Sequence, residues 1–283
     1  ALRNRLIHSV VAFVIGMVIC FTVATPIFTF LTAPLCAELA ELGQDCDLIF
    51  IKPQEGFFVA IKVSFLGGFM LAFPYIAYQM WRFVAPGLYK SEKGAFLPFL
   101  IASPFMFIAG ASFAFFVVTP LAYDFFLGFQ QFGAEGAAAE TAAGDPPLSV
   151  VFQGSAQEYL NLTIKFILAF GLCFQLPVLL TLMGKAGLVS AEGLGQVRKY
   201  AVVGILVLAA LVTPPDVITQ VILFVVVYGL YEVSIFLVRR VERKREAKLR
   251  AEGVWFDDEE LEDALAAKLD DDDEEDDEGQ KSS

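Results

Sequence analysis

The sequence predicts an all-α polytopic membrane protein with six spans and both termini on the cytoplasmic side. Three observations predict it. Of 283 residues, 57% are hydrophobic and only 18% are charged, against about 45–50% and about 25% in ordinary soluble domains. The apolar residues gather into runs close to the roughly 20 that a helix needs to cross a bilayer. Lysine and arginine occupy alternate connecting segments, the pattern that marks cytoplasmic loops.

Taken in order, the first span is Ser9–Leu31, followed by a polar stretch Thr32–Glu55. The second is Gly56–Met80, and a short loop, Trp81–Ala95, leads to the third, Phe96–Val118. A Gly-, Ala- and acid-rich stretch, Thr119–Gln157, precedes the fourth, Glu158–Met183. A short loop to Lys199 then gives Tyr200–Thr213, and Pro214-Pro215-Asp216 separates it from the last span, Val217–Val238. Fourteen residues rise only about 21 Å as a helix, short of the roughly 30 Å hydrocarbon core. The basic residues argue that this short segment crosses all the same. Arg3 and Arg5 precede span 1; Arg82, Lys90 and Lys93 follow span 2; Lys185, Arg198 and Lys199 follow span 4. Thr119–Gln157 has no Lys or Arg. The alternation is regular only with six crossings. Internal prolines at 74, 98, 104 and 177 bend their helices and predict curved rather than straight spans.

The division expected is a six-helix domain over 1–240 and a basic, then acidic, largely disordered cytoplasmic tail over 241–283. The net charge of −12 belongs to that tail: residues 251–283 hold sixteen acids and two lysines, and Asp270–Glu278 is unbroken acid. Such a block repels itself and does not fold. The basic stretch before it is expected against anionic lipid headgroups.

Composition excludes several functions. One His and four Cys make no metal-ligand cluster, and no nucleophile–base pair, phosphate loop or dinucleotide fingerprint is present, so neither enzyme activity nor a cofactor is expected, and no nucleic-acid partner. Cys36 and Cys46 share the first outer loop, and in an oxidising compartment a disulfide between them is expected. Lys62 and Lys165 lie in outer halves of spans and are expected to snorkel outward, with Glu232 snorkelling inward. Gln175, mid-membrane, needs a hydrogen-bond partner on another helix of the chain or on another subunit. The loop WRFVAPGLYKSEK at 81–93 offers one carboxylate, Glu92, beside the rings of Phe83 and Tyr89. That combination suits a guanidinium, which takes a carboxylate in its plane and an aromatic ring on its face. It equally suits an acid that begins the following helix.

Four segments together resemble the TatC family of twin-arginine translocase subunits. They are Leu2-Arg3-Asn4-Arg5-Leu6, the loop FVAPGLYKSE ending at Glu92, Ala169–Pro177 (AFGLCFQLP), and Thr213-Pro214-Pro215-Asp216 with Gln220. Their order and spacing agree over roughly residues 1–240. The resemblance implies a cup-like wall of six helices with short helices 5 and 6, in the bacterial inner membrane. It implies a subunit that binds the Arg-Arg signal peptide of folded twin-arginine precursor proteins at the cytoplasmic face. Export would then proceed with TatA-like and TatB-like single-span subunits and the proton-motive force, with self-association expected. Residue by residue it assigns signal-peptide binding to Glu92, Phe83, Arg3 and Arg5, with the Tyr89 ring read from the loop itself as a further contact. It assigns partner-helix contact to Gln175, Thr213 and Gln220, and loop roles to Pro34 and Asp216. One position departs: the family carries Glu where this sequence has Ala1.

Overall fold

The computed structural model describes residues 2–41, 43, 45–84, 97–128, 154–213 and 217–251. Nearly all of them are helical. Leu2–Thr22 forms α1 and Ala24–Glu41 forms α2, with a break at Val23. Pro26 has no N–H for the turn before it, and the Thr22 hydroxyl turns back onto the Ile19 carbonyl at 2.7 Å. Helix α3 is Glu55–Val84 and α4 is Leu97–Phe113. A π turn, Ala114–Val118, continues α4 into further helix over 119–128. Then come α5 (Ala156–Cys173), α6 (Leu176–Lys185), α7 (Ala191–Gln196), α8 (Arg198–Val212) and α9 (Val217–Ala251).

Among the described residues, five stretches are long and apolar enough to cross a membrane: Arg3–Thr22, Glu55–Met80, Phe99–Gly128, Ala156–Lys185 and Val217–Ala247. Helix α8, with 15 residues, rises about 22 Å and is not among them. Two expected span boundaries need correction. The polar stretch from Thr32 is helical to Glu41, because Leu31, Leu35 and Leu39 bury one face at four-residue spacing. The stretch from Thr119 is helical to residue 128, held by buried Ala122, Tyr123 and Leu127. Helix α9 has a Glu-, Lys-, Arg- and Ala-rich continuation that suits helix and reaches Ala251.

Packing is antiparallel and phenylalanine-rich. Phe13 of α1 meets Phe65 and Phe69 of α3 edge-on, with centroids 5.1 and 6.4 Å away. Phe73 of α3 stacks on Phe107 of α4 at 4.0 Å. Close approaches between helices require glycine. A Cβ on Gly68 would lie 2.5 Å from the Met17 amide nitrogen, and one on Gly171 would lie 2.6 Å from the Phe107 ring. Without a hydrophobic drive between helices in lipid, such small-residue contacts supply the packing.

These contacts sort the helix ends. The start of α1, the end of α3, the start of α4, the end of α6, the start of α8 and the far half of α9 share one end. Arg3, Arg5, Arg82, Lys185, Arg198 and the arginines after Val238 therefore lie together, and we term this the basic end. At the other end Cys36 and Cys46 form a disulfide, with Cα atoms 5.1 Å apart. There Ile49 pairs with the start of α5: its amide donates to the Gly154 carbonyl and its carbonyl accepts from Ala156, each at 3.1 Å.

Candidate functional site at the basic end and the helix α8–α9 turn

The basic end is built from helix termini and few cross-links. Arg3 is exposed and Arg5 half-buried on the first turns of α1, and Arg82 is exposed in the last turn of α3. Phe83 belongs to that same last turn. The Lys185 ammonium sits 5.6 Å from the centroid of Phe99, early in α4. The loop that joins α3 to α4 therefore leaves and re-enters the bundle beside Arg82 and Lys185. Glu92 and Tyr89 belong to that loop and lie outside the described residues.

Further round this end, Arg198 donates to Glu232 across α8 and α9 at 2.9 Å. Glu232, expected to snorkel inward, meets Arg198 at this end as an ion pair. Both side chains are substantially exposed, 47% and 35%, so the pair orients α8 more than it stabilises it. Ser190 caps α7 by accepting from the Gly193 amide at 3.0 Å, and Glu242 accepts from the Ala191 amide at 3.0 Å. Tyr231 donates to the Leu194 carbonyl at 2.7 Å. Together these fix the short α7 against α9.

The Gln175 side chain is buried at the break between α5 and α6. Its carbonyl oxygen accepts from the Ser103 hydroxyl at 2.8 Å, and its Nε2 donates to the Ser103 backbone oxygen at 2.9 Å. Of the two partners the sequence allowed, the one seen is another helix of the same chain. Thr213 is buried too, its hydroxyl donating to the Ala209 carbonyl at 2.9 Å, while Gln220 is half-buried early in α9. The turn acid, Asp216, is outside the described residues. Pro34 is half-buried inside α2.

Lys62 does not simply reach outward: its ammonium donates to Asn161 Oδ1 at 2.7 Å, joining α3 to α5. Lys165 is exposed on α5. No group of three or more metal-ligating side chains occurs among the described residues. Asn161 and Ser103 had no signal in a single sequence, because each is one small polar residue in an apolar run.

Residues 1–225 match the sequence profile of the family described as Sec-independent protein translocase protein (TatC). The chain belongs to the TatC family. A TatC of Magnetococcus marinus is 45% identical over 263 residues, covering 93% of this chain and 90% of that protein. The Escherichia coli TatC is 34% identical over 238 residues, covering 84% and 85%. A crystal structure of the twin-arginine translocase receptor TatC superposes with a TM-score of 0.71 at 38% identity, covering 85% of this chain and 97% of that one. The chain is accordingly a Sec-independent translocase component, a multi-pass protein of the bacterial inner membrane. As a TatC protein it is a transport protein that works in a complex with other subunits.

Proposed function

We propose that this TatC binds the Arg-Arg signal peptide of folded precursors at its basic end, which faces the cytoplasm, and exports them with single-span TatA-like and TatB-like subunits using the proton-motive force. The observation that carries the reading is the gathering of basic side chains at one end, where the loop bearing Glu92 also emerges. Cationic ends stay on the cytoplasmic side. That orientation puts both termini inside and makes α8 and α9 a short return crossing, six spans in all. In this reading Glu92 is the carboxylate that accepts a guanidinium bidentately. Phe83 and Tyr89 supply ring faces, and Arg3 and Arg5 border the same site.

Thr213 and Gln220, at the opposite end of α8 and α9, form the contact for partner helices in this proposal. Gln175 joins them only when its two bonds to Ser103 open, since both functional groups of its amide are otherwise engaged within the chain.

The test is affinity for an Arg-Arg signal peptide in nanodiscs at fixed salt. Hydrogen bonds to charged groups contribute roughly 1.5–3 kcal/mol, so Glu92→Gln is expected to weaken binding by about one to two powers of ten. A Lys-Lys peptide is expected to bind the native chain more weakly than Arg-Arg. Equal affinity for both peptides, unchanged in Glu92→Gln, refutes the assignment.

A further inference from the structure

Beyond Val238, α9 has two different faces. One face is occupied. Val238 is buried, its side chain packed where a Cβ on Gly184 would lie 2.7 Å away. Glu242 holds the Ala191 amide, and a Cβ on Gly187 would meet the Arg245 guanidinium at 2.6 Å. Both acids of this stretch, Glu242 and Glu246, line the groove toward α7. The charged residues on the other face are all cations. Phe236, Arg240, Arg243 and Ala247 follow one another at four, three and four residues, so they form a single strip. Arg239 and Lys244 flank it. These six residues line an open groove of about 390 Å³.

The strip is amphiphilic along its length. Toward the span it ends in Phe236, 63% exposed, and Val233, 49% exposed. Arg239 and Arg240 come within one helical turn of Phe236, and Arg243 and Lys244 one turn further, about 6 Å along the axis. An exposed phenyl ring beneath four cations, with no acid between them and with Glu232 below already paired to Arg198, suits an acyl chain below and a phosphodiester above.

We propose that this groove is a binding site for an anionic phospholipid, whose phosphodiester is held by Arg240, Arg243 and Lys244 with Arg239 alongside, and whose acyl chain lies on Phe236. The attraction of a basic segment to an anionic surface is general; a site is narrower, because it requires the ring as well as the charges. The acidic stretch at 270–278 complements the cations but offers nothing for the exposed Phe236, so lipid is the better occupant. The leaflet concerned follows from the orientation proposed above. The site itself does not, and its test in detergent is independent of signal-peptide binding.

The experiment titrates the full chain in a neutral detergent with phosphatidylglycerol or phosphatidylcholine and counts bound lipid by native mass spectrometry. The native chain is expected to hold phosphatidylglycerol at least tenfold more tightly than phosphatidylcholine. The triple variant Arg240→Gln/Arg243→Gln/Lys244→Gln is expected to lose at least tenfold for phosphatidylglycerol and nothing for phosphatidylcholine. Phe236→Ala, which leaves the charge intact, is expected to weaken phosphatidylglycerol severalfold. Arg240→Lys/Arg243→Lys is expected to retain most of the binding, which separates lost charge from lost folding. Equal affinity for the two lipids, or native affinity in the triple variant, overturns the proposal. Native affinity in Phe236→Ala reduces the strip to bare charge attraction and overturns the site. Displacement of the lipid by inorganic phosphate at equal concentration, or by a peptide of residues 269–279, assigns the cations to a free anion or to the chain's own tail and likewise overturns it.

Discussion

The two ends of the bundle are made differently. At the disulfide end, segments distant in sequence are tied by directional bonds. Cys36 is bonded to Cys46, and the Ile49 segment pairs with the start of α5. The Tyr159 hydroxyl donates to the Leu31 carbonyl at 2.7 Å, and the Tyr123 hydroxyl donates to the Tyr159 carbonyl at 3.1 Å. Buried Glu55 closes the start of α3, accepting from the Ile51 amide at 2.8 Å. Among the described residues, the links between helices at the basic end include an exposed ion pair, a cation–ring contact and the hydrogen bonds that seat α7. If the basic end binds a signal peptide as proposed, the sparser ties there leave it freer to adapt than the disulfide end. The contrast is testable because each tie can be cut alone.

The largest effect is expected at the disulfide. Ten residues separate Cys36 from Cys46, and closing a loop of that size contributes about 2–3 kcal/mol in the chain-entropy account. Cys36→Ser should lower the thermal midpoint in detergent, and reductant should lower the native protein to the same value; a midpoint indifferent to both erases the contrast. Next is Tyr159→Phe, which removes a buried donor at the same end. A cost of about 0.5–1.5 kcal/mol is expected, read as a smaller fall in the same melt. Arg198→Gln at the basic end should cost no more than about 1 kcal/mol, because both partners are largely exposed. If it costs more than Tyr159→Phe, the basic end is not the lightly tied one.

The smallest effect is a pH dependence. Partial burial raises the Glu38 carboxyl above its usual range, and the neighbouring charges of Glu41 and Asp124 raise it further. A carboxyl raised on folding gives stability that is fully present below the ordinary glutamate value. That stability is lost as pH rises through the raised one. Melts of the native protein should therefore decline slightly from about pH 4 upward. Glu38→Gln should flatten that decline; an unchanged slope places its source elsewhere.

What the sequence made legible was whatever repeats or accumulates. Spans 2 to 4 and the last span are recognisable as apolar runs, and the sorting of cations to one end follows from counting Lys and Arg. The helix from Thr32 to Glu41 was hidden because Glu38 and Glu41 lower its mean apolarity. Its signal was periodic instead, in Leu31, Leu35 and Leu39. The break at Val23 was signalled by Pro26 three residues later. The pairs Lys62–Asn161, Ser103–Gln175 and Arg198–Glu232 were not legible at all. Their members lie 34 to 99 residues apart, and only the packing of helices decides which polar groups meet. Of the candidate site, Thr213, Gln220, Arg3 and Arg5 are now placed on particular turns, and the Gln175 amide has a partner that the sequence could not choose.

Helix α1 leans chiefly on α3, with its tightest approach at Gly16 and Gly68, where a Cβ on Gly16 would lie 3.0 Å from the Gly68 carbonyl oxygen. A tilt about that contact would pivot α1 about two-thirds of the way along it. Thirteen residues separate Gly16 from Arg3, an arm of about 20 Å. A tilt of about 5° about the glycine contact sweeps Arg3 through about 2 Å, and carries Thr22 the opposite way by about half as much, on its shorter arm of about 9 Å. Such a tilt at the basic end would reach the joint with α2 at Val23 reduced and reversed in sign, thirteen residues short of the Cys36 end of α2 that the disulfide ties.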